Sequence, residues 1–265
     1  MRILTHNPEP LQRIGYHNAS SAGKPEYVRL PVTTGTISGK FAGLSALVLT
    51  ADLQGRERVY NLPIGQEPPL LGETVAHDLE RLGASAMLPP ADEVGVILAG
   101  DFWADPNSRR RGGLGDVAPV WNAFARSFRW VAGVLGNHDK LHRTQFANQD
   151  LLDGETVERD GLRIGGVGGI VGVKGKPGRK PADDFLIQLH EVMERRPDLV
   201  ILHMGPDSPE TGLLGNEAVR ETIEEYPPTL VVCGHVHTEE PIHQLGNGTQ
   251  VVNVDSRTII MKFSQ

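Results

Sequence analysis

Five short apolar runs, each ending in a polar residue of the kind that binds cations, constrain this chain more than any other feature. Residues 46–49 lead into Asp52, 94–98 into Asp101, and 130–135 into Asn137, His138 and Asp139. Residues 199–202 run into His203, and 230–232 into His235 and His237. Each run is too short for a free-standing helix and reads as a buried strand. Helical stripes lie between them: Val75, Leu79 and Leu82; Leu186, Leu189 and Met193; and a weaker one of Val219, Thr222 and Ile223. Strands alternating with helices predict βαβ units and mostly parallel pairing. In an open α/β sheet ligands bind at the C-terminal strand ends, where all these polar groups emerge.

The flanks carry less pattern. Within residues 1–44, the segment 26–30 reads as a strand and 33–40 as a loop. Beyond 156, glycine-punctuated β segments (162–171) and a C-terminal series (241–244, 250–254, 258–263) predict antiparallel additions. There is no internal repeat, and no linker is long enough to separate a second domain. We therefore expect one α/β domain over 45–265, with 1–44 an N-terminal extension that either stands apart or joins it.

At 39% hydrophobic and 22% charged residues, the chain can bury a substantial core. A net charge of -7 disfavours a general nucleic-acid binder, which needs a basic face. The single cysteine, Cys233, excludes an intramolecular disulfide. The N-terminus has no apolar leader pattern and no run approaches a membrane span, so a cytoplasmic protein without membrane association is expected.

Carboxylates and imidazoles at strand ends suit Mn, Fe, Zn or Ni, and the lack of cysteine clusters argues against a structural zinc site. One carboxylate can bridge two ions, a role open to Asp101. His235 and His237 are too close in sequence to reach one point from the same strand face, but from a loop they can serve two ions.

The order of these motifs resembles that of the calcineurin-like metallophosphoesterases, whose pattern is DxH, GDxxD, GNHD, a lone His after a strand, and GHxH. The corresponding segments are Asp52-Leu53-Gln54, Gly100-Asp101-Phe102-Trp103-Ala104-Asp105, Gly136-Asn137-His138-Asp139, His203 and Gly234-His235-Val236-His237. The match spans roughly residues 45–255. It implies a two-sheet α/β/β/α sandwich of mixed sheets with flanking helices. It also implies hydrolysis of phosphomonoesters or phosphodiesters by a hydroxide held between two divalent cations, Mn or Fe ahead of Zn or Ni. Asp52 and His237 would hold the first cation, Asp101 would bridge, and Asn137, His203 and His235 would complete the second. His138 would be the acid near the leaving group, Asp139 would orient its ring, and Asp105 would stand beside the ligands rather than among them.

Gln54 departs from the pattern, standing where the family has histidine. Its amide oxygen is a weaker ligand than imidazole for these ions, so the first cation is expected to be held less tightly, or a water to fill the gap. The alternative is a catalytically degenerate member acting as a binding module, against which stand the other ligands and the intact GNHD. An amide or lactam hydrolase would need an HxHxDH cluster, which is absent.

Two basic loops remain: 108–113, with Arg109, Arg110 and Arg111, and 174–181, with Lys174, Lys176, Arg179 and Lys180. The first follows the Asp101 motif directly and should emerge at the site rim, where arginine can pair bidentately with phosphate oxygens. With an acidic chain, a small phosphorylated metabolite or nucleotide is expected as substrate rather than duplex nucleic acid. The histidines outside the motifs (His6, His17, His77, His142, His190, His243) read as structural or surface residues. The glycine run 165–172 lacks the helix and acidic residue of a nucleotide loop and reads as close backbone packing. Cys233 reads as a packing residue, and Trp103 as either cleft wall or core.

Overall fold

The computed structural model describes residues 1–58 and 66–264. The chain opens with a long hairpin, β1 (Arg2–Ala19) and β2 (Pro25–Ser38). It continues through β3 (Ala46–Ala51), α1 (Leu71–Ala84), β4 (Val94–Leu98), β5 (Gly115–Asp116), α2 (Ala118–Ser127) and β6 (Trp130–Gly133). Next come β7 (Asp139–Lys140), β8 (Gln149–Leu151), β9 (Glu155–Arg159), β10 (Leu162–Val167), β11 (Ile170–Val171), β12 (Arg179–Lys180) and α3 (Ala182–Glu194). The last stretch holds β13 (Leu199–Met204), α4 (Glu217–Glu224), β14 (Leu230–Gly234), β15 (Ile242–Gln244), β16 (Gln250–Asn253) and β17 (Arg257–Ser264).

Two large sheets result, ordered β1-β2-β17-β3-β4-β6-β8 and β15-β16-β14-β13-β10-β9. Strand alternation explains how they stack. Val48, Val96 and Leu98 face outward and pack with Leu71, Val75 and Leu79 of α1 and Val120, Trp121 and Phe124 of α2. Their neighbours Leu47, Leu49 and Ile97 face inward and meet Leu199, Ile201, Leu230 and Val232 of the second sheet. The far face of that sheet, with Val200, Leu202 and Val231, is covered by Phe185 and Leu189 of α3 and Val219 and Ile223 of α4. The order is helix, sheet, sheet, helix, the expected α/β/β/α sandwich. Strands buried on both faces read as continuous apolar runs, which is why they stand out in the sequence.

Three sequence expectations change. The segment 33–40 is strand as far as Ser38, because β2 is paired on both sides, antiparallel to β1 and parallel to β17. Thr33, Thr34, Thr36 and Ile37 are β-branched and suit that pleated setting. The C-terminal strands are not simple antiparallel additions: β16 runs parallel to β14, and β17 is antiparallel to β3 but parallel to β2. Helix α2 was not expected, although Val120, Trp121 and Phe124 form its buried stripe and Pro119 sits in its first turn, where proline is tolerated. Of the glycine run 165–172, Gly165 and Gly166 lie in β10, which packs against α3, and Gly168 and Gly169 make the close turn into β11. No helix among the described residues is long and apolar enough to cross a membrane.

Candidate metal centre

The ends of β3, β4, β6, β13 and β14 meet between the sheets and bring the motif residues together. Asp52, Asp101 and His235 all turn there in the left-handed region, with φ of 53°, 60° and 69°. Holding a residue other than glycine in this region costs of order 1 kcal/mol or more, so the surroundings must enforce it. Backbone bonds do so. Asp52 N donates to Gly100 O at 2.9 Å. His235 N donates to Asp52 Oδ2 at 2.8 Å, and His138 N to Asp101 Oδ1 at 2.9 Å. The glycines of GD and GN are steric necessities: a Cβ on Gly100 would fall 2.7 Å from His203 Nδ1, and one on Gly136 only 2.0 Å from Asp101 Oδ1.

Asp101, His203 and His235 present ligand atoms that all lie within 4.8 Å of one another. His203 is wholly buried and its Nδ1 lies 2.8 Å from Ala99 O, which directs Nε2 into the site. That Nε2 is 3.3 Å from Asp101 Oδ2, close enough for attraction but not aligned as a hydrogen bond. His203 Nε2 and Asn137 Oδ1 are both buried without a hydrogen-bond partner. Buried polar atoms normally have partners, and these two are lone-pair donors expected on the second cation. The residues present therefore fit a divalent ion held by Asp101, Asn137, His203 and His235.

Electrostatics point the same way. Burial raises the pKa of Asp52 well above the usual carboxylate range, and the neighbouring Asp255 and Asp101 add to the rise against an opposing pull from His203. Burial also works against ionising Asp101, but His203 and His138 outweigh it and lower its pKa. For His203 burial pulls downward, yet the Asp101 and Asp52 carboxylates push its pKa up to about 10. Burial, then the charge of His203, lowers His235 to about 4. Crowded carboxylates sharing one protonated imidazole would be relieved by a cation, as negative sites without one pay a desolvation cost.

The residues expected on the first cation form no such close group of imidazoles and carboxylates among the described residues. The ring of His237 is largely exposed, and its Nδ1 lies 2.8 Å from Asp255 Oδ2. That carboxylate–imidazole pair is the arrangement that orients ligating histidines and leaves Nε2 for the ion. Asp52 and Asp101 are on hand. Gln54 presents its amide nitrogen, which donates to Asp101 Oδ2 at 3.1 Å; rotating the amide by a half turn would offer its oxygen instead.

Asp139 does not orient His138. Its Oδ2 accepts from Asp101 N (2.7 Å) and Gly136 N (3.1 Å), and its Oδ1 from Phe102 N (2.7 Å) and Trp103 N (3.2 Å). The carboxylate thus ties the two ligand loops together through their backbones. Burial, then the charge of Asp101, pushes its pKa up to about 6. The His138 ring is held instead by Gly113 O, 2.6 Å from Nδ1, with Nε2 3.9 Å from Asp101 Oδ2. Asp105 lies one residue further from Asp101 than the GDxxD spacing, and its Oδ2 accepts from Arg109 N at 3.0 Å.

Of the basic loops, the arginine loop reaches the site: Gln54, Trp103, Arg110 and Arg111 line one cleft together with Asn18 and Ala19 of β1. Trp103 is at once cleft wall and core edge. The lysine loop packs behind the GNHD turn, and Lys180 is engaged by Asp153 and by Gln188 at 2.7 Å. Cys233 is buried in the core beneath α3 and α4, where burial raises its thiol to about 12. Sequence reasoning missed Asp255, although it follows an apolar strand as the other site carboxylates do. The carbonyl of Gly113 left no signal to find.

The family model for calcineurin-like phosphoesterases matches residues 47–239. The chain belongs to that family. Its members bind divalent metals, consistent with the cluster of Asp101, His203 and His235. The matched span begins inside β3, so the β1–β2 hairpin of this phosphoesterase lies outside it. The crystal structure of TT1561 of Thermus thermophilus is similar over 79% of this chain and 88% of that one, with 14% identity and a TM-score of 0.52, a likeness of fold. No curated protein matches with significance.

Proposed function

We propose that this phosphoesterase hydrolyses small phosphorylated substrates, monoesters or diesters, with Mn or Fe as its divalent cations. The observation that carries this is the pair of buried, unpartnered atoms, His203 Nε2 and Asn137 Oδ1, beside Asp101. Asp101, Asn137, His203 and His235 would hold one cation; Asp52, Asp101, His237 and, more weakly, Gln54 would hold the other. When bound, such ions make hydroxide available near neutral pH and neutralise charge on phosphoryl oxygens. The chain supplies the rest. His138, its Nδ1 fixed on Gly113 O, keeps Nε2 for proton donation to the leaving oxygen. Asp139 keeps Asp101 and the GNHD turn in register, and Arg110 and Arg111, which line the adjoining cleft without Arg109, would meet substrate oxygens.

A binding module without catalysis is favoured by one observation, the Gln54 amide nitrogen facing Asp101. A metal-by-substrate panel decides. The chelated protein should leave an aryl phosphate intact, Mn or Fe should restore hydrolysis, and Asp101→Asn should lose bound metal and turnover together. Hydrolysis that survives both chelation and Asp101→Asn would overturn the proposal; bound metal without turnover on any phosphoester would favour the binding module.

A further inference from the structure

If His138 is the acid, the cleft beside the arginine loop lies on the leaving-group side, because Gly112 of its lining adjoins the His138 ring. Gly113 O holds the His138 ring, and a Cβ on Gly112 would stand 3.0 Å from His138 Cε1. A group departing past His138 therefore enters the cleft lined by Trp103, Arg110 and Arg111. We infer that this cleft is a second phosphate subsite, selecting phosphoesters whose leaving group carries another phosphoryl group. The inference rests on the phosphoesterase reading and narrows its substrate.

Charge is the first support. The chain carries a net -7, yet among the described residues neither Arg110 nor Arg111 is in an ion pair. Among the described residues Arg111 uses only Nε, which donates to Ala19 O at 2.9 Å, and its two terminal nitrogens have no partner there. Asp105 also lines the cleft, but its Oδ2 is engaged by the backbone of Arg109. One carboxylate against two arginines leaves the cleft lining net positive. Arginine matches phosphate oxygens in a bidentate fork, which a lone ammonium does not.

The loop is also anchored. Ser108 is buried, with its N donating to Asp105 O at 2.9 Å and its Oγ to His17 O at 3.2 Å. With the Arg111–Ala19 bond, two of these contacts come from β1, so the hairpin that precedes the family span positions the arginines. Less order then has to be created when an anion binds. Trp103 supplies an apolar wall: its ring lies so close to Gly113 and Gly115 that a Cβ there would fall 2.1 and 1.8 Å from ring atoms. The cleft encloses about 200 Å³, below the range typical of drug-sized ligands, and suits a phosphate on a short linker rather than a polymer.

The test compares kcat/KM for 3-hydroxypropyl phosphate and for propane-1,3-diol bisphosphate, which share a primary-alkoxide leaving group and differ in the second phosphate, on the Mn-loaded protein. The wild type should prefer the bisphosphate by about tenfold or more, the scale of one charge-assisted contact. In Arg110→Gln/Arg111→Gln that preference should fall at least about tenfold, and Arg110→Lys/Arg111→Lys should keep some of it. Because the readout is a ratio within one preparation, a misfolded fraction cancels. A wild type without preference, or a double Gln variant whose ratio stays within about twofold of wild type, would overturn the subsite alone. A wild type that hydrolyses neither compound with any divalent metal would remove the phosphoesterase reading, and the subsite with it.

Discussion

The imidazole of His138 is anchored by the carbonyl oxygen of Gly113, 2.6 Å from Nδ1, a contact that ties the arginine loop to the candidate site. The backbone N–H of His138, by contrast, donates to Asp101 Oδ1 and does not depend on the side chain. His138→Gln should therefore cut turnover by about 10²–10⁴, the usual scale for losing a general acid, while bound metal stays at the wild-type level. Metal analysis beside steady-state kinetics checks this, and loss of metal in the variant would contradict the assignment.

Asp139 accepts four backbone N–H groups. Asp139→Asn would set an amide NH₂ against two of them, at a cost of about 3 kcal/mol for buried donors left unsatisfied. The pH dependence has a definite sign. With its folded pKa raised from 3.8 to about 6, Asp139 binds its proton more tightly in the folded metal-free protein than in the unfolded chain. Its contribution to stability is therefore fully present below about pH 4 and is lost as pH rises through 6. Urea unfolding of both proteins should show the wild-type advantage shrinking over that window; an advantage that grows with pH would contradict the shift.

Asn137 Oδ1 is buried with no partner, so it contributes no hydrogen bond to the stability of the metal-free protein. Asn137→Ala should leave that stability within about 1 kcal/mol of wild type and yet diminish the rise in Tm on adding Mn. Differential scanning calorimetry with and without metal reads both. An unchanged metal-induced rise would exclude Asn137 as a ligand.

His203 in the metal-free protein holds its proton to about pH 10, and an imidazole must be neutral to ligate. Metal uptake at pH 8 should release about one proton at this residue, and affinity should strengthen as pH rises. Titration calorimetry in two buffers of different ionisation enthalpy counts the proton. Uptake without release would mean that His203 is already neutral.

Gln54 donates to the same Asp101 oxygen that lies beside His203, so in this rotamer it competes for the bridging carboxylate. Gln54→His should raise first-site occupancy at limiting metal. Equal stoichiometry in both proteins would show that position 54 does not govern that site.

The strand-end site residues were legible because parallel strands buried on both faces appear as uninterrupted apolar runs, and the residue after each run must sit at the carboxyl edge. Asp52, Asp101, His203 and His235 could be placed in this way. The β1–β2 hairpin could not: β1 is half exposed, and Pro8 and Pro10 fall within a break in its pairing between Asn7 and Gln12. Helix α2 went unseen because its ten residues offer one short stripe.

For His138, the sequence alone determined its place in the GNHD turn, next to the ligands, because covalent spacing carries that information. Only the tertiary structure decided what holds its ring. The partner is a backbone carbonyl, a group that every residue has, so nothing in the side chains marks Gly113 as the one that reaches Nδ1. The same holds for Asp139, whose four donors are all backbone amides, and for the arginine loop, which is anchored to carbonyls of His17 and Ala19. Side-chain identity specified the candidate ligand set; long-range backbone contacts decided how it is held.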